Sequence, residues 1–358
     1  MKRKNNLRRV LIAVLCISLT VFGVTSDYLK VPISVAANTI INAYGTDKIV
    51  AMAESESITT TTVAVKTEDV AQTVPQTTTV PTTTMANAVA VSSNAKGKIS
   101  NVTLNQSGAT SVSNLHIANK TGKTVDVAAQ LKVKPDFTIY KNASPQVLIV
   151  HTHATECYFP KESDVYYDDW ATRTADKSKN TVAVGQIIAD KLNAAGIVTL
   201  HDETLHDKDA YNGSYERARK TIQSYLDKYP SIDVVLDIHR DAITYDDGTK
   251  VSPTIEIDGK KAAQIMIATG CNSGNVTDHD NWIENFRFAI RLQKSCEEKY
   301  GKFARSLYFV SKKYNHDLTP GSLLIEMGSE ANTLEQVKYS AELLSNALIP
   351  VLEGLQAD

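Results

Sequence analysis

From Gln146 to the end of the chain, short and mainly apolar runs alternate with longer stretches whose apolar residues recur every three or four positions. The runs are VLIV (Val147–Val150), IVTL (Ile197–Leu200), DVVLDI (Asp233–Ile238), Leu307–Val310 and SLLIEM (Ser322–Met327). A run without polar alternation suits a strand buried on both faces. Between the runs, Val184, Ile187, Ile188 and Leu192 share a helical face that Gly196 ends, and Tyr215, Ala218, Ile222, Tyr225 and Leu226 share another that precedes Pro230. Further helices are expected over about Asp280 to Tyr300 and from Thr333 onward. In TIEIDGKKAAQIMIA, Asp258–Gly259 is the expected turn of a β-hairpin. Strands alternating with helices predict an α/β domain of three layers, a mostly parallel sheet between helices.

The amino-terminal part has a different composition. MKRKNNLRR, with five positive charges, precedes the apolar stretch Val10–Val24. This pattern is that of a signal peptide or a short membrane anchor; without a convincing cleavage site after it, an uncleaved anchor is expected. Positive residues stay in the cytoplasm, so the remainder would lie outside the membrane. A Thr-, Val- and Ser-rich stretch follows, too poor in bulky apolar residues to offset the entropy of ordering. The expected organisation is a basic cytoplasmic segment at 1–9, an anchor or signal-like helix at 10–25, a linker at 26–110, a strand-bearing lead-in at 111–145 and the main domain at 146–358. With 38 basic and 40 acidic residues the formal charge is −2, which argues against a nucleic-acid partner. Four cysteines cannot make a disulfide framework; Cys16 lies in the apolar segment, and Cys157, Cys271 and Cys296 are expected as buried thiols.

Three of the apolar runs end in side chains suited to metal or proton chemistry. The first ends in His151-Thr152-His153-Ala154-Thr155-Glu156, the third in His239-Arg240-Asp241, and the late run in Glu326. Parallel strands bring their carboxyl ends to one edge, where ligands collect in such sheets. Two imidazoles and a carboxylate suit Zn²⁺ with a fourth position for water, and a second carboxylate can take that water's proton. His153, Glu156 and His239 are the expected ligands. His151, directly against the strand, is the alternative first ligand. Arg240 and Asp241 would hold substrate carboxylates, orient His239 or pair at the surface. His201, His206, His279 and His316 read as surface or loop residues, with His316 approaching the Glu326 strand. ESDVYYDDW reads as a solvated loop or one lying over the site.

The segments PQVLIVHTHATECY, DVVLDIHRDA and LTPGSLLIEMGSEANTLEQ, with the lead-in LHIANKTGKTVDVAAQLKVKPDF, resemble the stage II sporulation protein P family over about Leu115 to Leu352. The resemblance implies a phosphorylase/hydrolase-like α/β fold of the zinc-amidase type. It also implies a membrane-anchored N-acetylmuramoyl-L-alanine amidase that cuts peptidoglycan, and its peptide cross-links, during forespore engulfment. Its partners would be stage II sporulation proteins D and M. It assigns His239 as a zinc ligand and Glu326 as catalytic acid/base; in the mechanism expected here, Arg240 helps to steady the oxyanion. The chain lacks the D-P-G-H-G-G turn and the helix-proximal Glu of the broader zinc amidases. Its H-x-x-E…H arrangement is similar to that of zinc carboxypeptidases, hence Glu156 as third ligand. Rival readings are a zinc peptidase cutting only stem-peptide bonds and a non-catalytic peptidoglycan-binding module.

Overall fold

A computed structural model describes residues 95–357. The expected basic segment, the expected anchor and most of the expected linker lie outside the described residues. Among the described residues, no helix is long and apolar enough to cross a membrane.

Eleven strands form two sheets among the described residues. The larger is built from β2 (Ile117–Asn119), β3 (Val147–Val150), β5 (Thr199–His201), β6 (Val234–Asp241), β9 (Ile265–Gly270), β10 (Leu307–Val310) and β11 (Gly321–Ser329), in the order β2-β10-β9-β11-β6-β3-β5. β5, β3, β6 and β11 run parallel to one another, and β9, β10 and β2 form a second parallel block. The blocks meet where β9 lies antiparallel to β11. The carboxyl ends of β3, β6 and β11 therefore share one edge with the amino ends of β9 and β10.

Period-two alternation then sorts every side chain to one face or the other. On one face Val147, Ile149, Leu236, Ile238, Leu323 and Ile325 pack into a single core. That core is completed by α2 (Thr181–Ala194), α4 (Trp282–Tyr300) and α5 (Leu334–Glu353). On the other face Leu148, Val150 and Val235 meet Ile222 of α3 (Ser214–Lys228). Full burial of such a side chain contributes roughly 1.5–3 kcal/mol, which fixes the register. A short helix, α1 (Val127–Lys132), is capped by Asp126. α2 is capped by Asn180, and α5 begins with a Thr333/Gln336 capping box.

The smaller sheet has the order β4-β1-β7-β8, from β4 (Val165–Tyr166), β1 (Gly97–Val102), β7 (Lys250–Ile257) and β8 (Lys260–Ala263). Asp258 and Gly259 join β7 to β8 with φ of 51° and 71°, as a tight hairpin turn requires. β1 falls inside the stretch expected to be linker up to residue 110. Its backbone pairs in parallel with Lys250–Pro253 of β7 while Ile99 is buried. A short strand held mainly by backbone bonds leaves little trace in composition.

Candidate active site

The turn leaving β3 is pinned by two buried carboxylates. Asp237, in the middle of β6 and level with the end of β3, accepts hydrogen bonds from the Thr152 amide (2.9 Å) and hydroxyl (2.6 Å). Asp207 accepts from the Thr155 amide (3.0 Å) and hydroxyl (2.7 Å). The Glu156 amide closes the turn onto the His153 carbonyl at 3.2 Å. These bonds give HTHATE a fixed path, so its alternate side chains diverge.

His151 goes to the face that carries α2. Its Nδ1 lies 3.0 Å from the Ile238 carbonyl and its Nε2 2.9 Å from Nε2 of His201. Both nitrogens are engaged, and burial first, then His201, pushes its pKa down to about 3. His153 goes to the other face and stands beside His239, with ring centroids 5.3 Å apart and planes at 83°. Tyr211 stacks on His153 at 4.4 Å, and Tyr215 meets it edge-on at 5.6 Å. Burial, with His239 next, holds the His153 pKa down near 2, so the ring is a neutral donor.

Asp237, His239 and Asp241 alternate along β6 and share a face. His239 is level with Glu326 of β11 across a parallel pairing, so both side chains point the same way. Asp237 Oδ1 lies 2.9 Å from His239 Nε2, yet the contact is not aligned and that nitrogen is buried without a hydrogen bond. Burial depresses the His239 pKa, but the Asp237 charge outweighs it and the balance is up, to about 9. Asp237 responds in the opposite sense: burial is outweighed by His239 and Thr152, which hold it below the usual carboxylate range. Glu326 is half-buried, with Oε2 enclosed and unpaired. Burial and then Asp241 push its pKa up to about 8, against His239 and Arg305.

Glu156 reaches the same edge. Its oxygens take Arg173 Nη2 at 3.3 Å and the Arg240 amide at 3.3 Å, and burial raises its pKa. Arg173 also bonds Asp207 at 2.5 Å and lies 4.6 Å above the Tyr211 ring. Arg240, expected beside the oxyanion, corrects that expectation: alternation turns it to the face opposite His239. Its guanidinium bonds the Thr172 carbonyl at 3.1 Å and the Asp241 carbonyl at 3.2 Å, and lies 3.6 Å from Glu330. Three of the other histidines lie between the strands and α-helices, as the loop reading had it, but not at the surface. His206, His279 and His316 are all buried, and His316 has neither ring nitrogen hydrogen-bonded.

The donor types suit a zinc-like cation. Imidazoles bound at about 2.0–2.1 Å in a tetrahedron have ring centres roughly 5 Å apart, close to the spacing of His153 and His239. His239 Nε2 and Glu326 Oε2, both buried without an aligned hydrogen bond, are the polar atoms such a centre would use. A third arm is not closed: among the described residues no three His, Cys, Asp or Glu side chains form a metal-holding group. Glu156 is turned to Arg173 and the Arg240 amide instead. Asp237, Asp207, Arg173 and the tyrosines went unread in the sequence. Only the Asp-x-His-x-Asp alternation of β6 could have signalled one of them, since Asp237 falls in step with His239.

Geometry thus defines an α/β protein with an imidazole–carboxylate cleft at the shared edge of its parallel strands. The profile of the stage II sporulation protein P family matches residues 39–349. The chain belongs to that family. Stage II sporulation protein P of Bacillus subtilis (strain 168) is 30% identical over 206 residues, 54% of this chain and 48% of that protein, so the match spans about half the relative's length. Among solved structures, the CwlD amidase from Clostridioides difficile, in complex with the GerS lipoprotein, is similar at a TM-score of 0.36 and 13% identity. That likeness covers 59% of this chain and 98% of the other. The N-acetylmuramoyl-L-alanine amidase AmiC2 of Nostoc punctiforme is similar at a TM-score of 0.33 and 10% identity, covering 59% and 99%.

Proposed function

We propose that this protein hydrolyses peptidoglycan during sporulation, cutting the amide between the lactyl group of muramic acid and L-alanine. Cleavage of peptide cross-links belongs to the same proposal. The observation that carries it is the level pairing of Glu326 with His239, Oε2 unpaired and the carboxyl pKa raised to about 8. Family membership supports the substrate and the setting. A carboxyl poised near neutrality takes a proton from an attacking water and returns it to a leaving amine. His153 and His239 would hold Zn²⁺, and Glu156 would supply the carboxylate arm on release from Arg173 and the Arg240 amide. Zinc, when bound, supplies Lewis-acid polarisation and lowers the pKa of water.

Asp237, itself held by Thr152, lies against His239, and Tyr211 and Tyr215 fix the His153 ring. Glu326 deprotonates the water that adds to the carbonyl carbon. As the C–N bond breaks, the same carboxyl protonates the nitrogen of L-alanine. Stage II sporulation proteins D and M as partners, and an amino-terminal anchor holding the domain outside the cytoplasmic membrane, complete the proposal.

The test is Glu326→Gln in the zinc-loaded full chain, acting on purified sacculi. Release of stem peptides with new amino-terminal alanine should fall by about 10²-fold or more, with fold and bound zinc retained. Wild-type release by the variant would end the reading.

A further inference from the structure

The loop from β10 to β11 leaves the sheet at the edge opposite the cleft and folds back over the face that carries Glu326. At its turn two consecutive non-glycine residues, Tyr314 and Asn315, are left-handed, with φ of 50° and 59°. A bulky residue in that region is a true backbone outlier, and such strain persists only where the surroundings impose it. α3 and α4 do so here. Asn315 Nδ2 donates to the Tyr215 carbonyl at 3.0 Å, and Arg219 grips Asp317 through two bonds of 2.8 and 2.7 Å. Asn281 donates to the Asp317 carbonyl at 3.1 Å.

The result is an aromatic relay into the site. The Tyr314 ring lies 6.1 Å from Tyr215, whose ring lies nearly parallel to that of His239 at 6.3 Å. The Tyr314 hydroxyl has no hydrogen-bond partner among the described residues and is not sealed from solvent. The carboxylates that act on it are Glu326 and Asp241. Burial, the Tyr308 hydroxyl and those carboxylates push its pKa above the ordinary phenol value, so it keeps its proton.

We infer that Tyr314 is a further catalytic residue: its hydroxyl donates a hydrogen bond to the carbonyl oxygen of the amide under attack, strengthening as negative charge gathers there. The inference rests on the amide-hydrolase reading above. A phenol that cannot easily ionise keeps a proton to donate, and the carbonyl oxygen is the acceptor of that amide, its N–H being a donor. Tyr314 thereby fills the place that Arg240, on the opposite face, cannot. No proton leaves the phenol; Glu326 alone carries protons between water and amine.

Tyr314→Phe keeps the ring, the backbone and the contact with Tyr215, and removes the oxygen. In the zinc-loaded full chain acting on a soluble muropeptide, kcat should fall roughly 10- to 100-fold with KM and melting temperature unchanged. Binding of a tetrahedral phosphinate analogue of the lactyl–alanine amide should weaken by the same factor. Wild-type kcat in the variant, or a change in KM alone, overturns the inference while leaving the amidase reading intact. A wild-type protein that leaves the amide uncut overturns both.

Discussion

Gly185→Ala in the middle of α2 sets two effects of opposite sign against each other. Alanine is better than glycine inside a helix by about 1 kcal/mol, so on an open surface the change would stabilise. At this position the new Cβ would lie 2.6 Å from Cε1 and Nε2 of His151 and 2.9 Å from His201 Nε2. His151 is fully buried and held at both nitrogens, by the Ile238 carbonyl and by His201, so it cannot swing aside. Forcing a group into such packing costs roughly 1–3 kcal/mol. Loss of one buried hydrogen bond adds about 1–3 kcal/mol if its partner is stranded. The net is a destabilisation of about 1–5 kcal/mol, or roughly 2–4 °C in melting temperature for each kcal/mol in a domain of this size. Urea and thermal unfolding of the full chain followed by circular dichroism measure it. Adding His201→Ala opens one side of the ring and should recover part of the loss. A Gly185→Ala protein as stable as the wild type would refute the fixed His151 ring, and with it the account of why His151 is unavailable to the cleft.

Two further outcomes are expected. The Glu297 carboxyl, raised to about 7 chiefly by burial against bonds from Gln106 and Gln293, is protonated more readily folded than unfolded; folding stability therefore falls as pH rises from about 4.5 through 7. Discounted for its partial exposure, Glu297→Gln should stabilise the chain by about 1–2 kcal/mol at pH 8 in urea titrations; the difference should shrink toward pH 5, and a gain that is flat with pH would contradict the assignment. Elemental analysis should find bound zinc lost in His153→Ala and His239→Ala but retained in His151→Ala, because only the first two rings face the cleft.

The sequence made some elements plain for simple physical reasons. Val147–Val150 and Leu307–Val310 are short apolar runs between polar residues, and both are strands with those limits. Thr333 caps the last helix because Gln336 completes its box. Positions at strand ends were equally legible, so His239 and Glu326 fall on one edge. Which face each residue takes was harder, because it depends on where a strand starts to twist or bulge. Arg240 looked as well placed as its neighbour, yet period two sends it away. β9 was hidden for another reason: AAQIMIA continues a hairpin without a turn signal, and nothing local says that Ile265–Gly270 inserts antiparallel beside β11. The buried His279 and His316 and the left-handed Tyr314 depend on long-range packing that no spacing records.

Glu330 gives the architecture a mechanical consequence. Its amide bonds the Asp241 carbonyl at the end of β6, and its carboxylate pairs with both Lys250 of β7 and Arg240. β7 in turn is zipped in parallel to β1 from Ile99 to Val102. A pull on the chain ahead of Gly97 would therefore act along β1 in shear, the direction in which all the β1–β7 bonds must yield together. Through Lys250 and Glu330 the same force would reach the strand on which His239 sits.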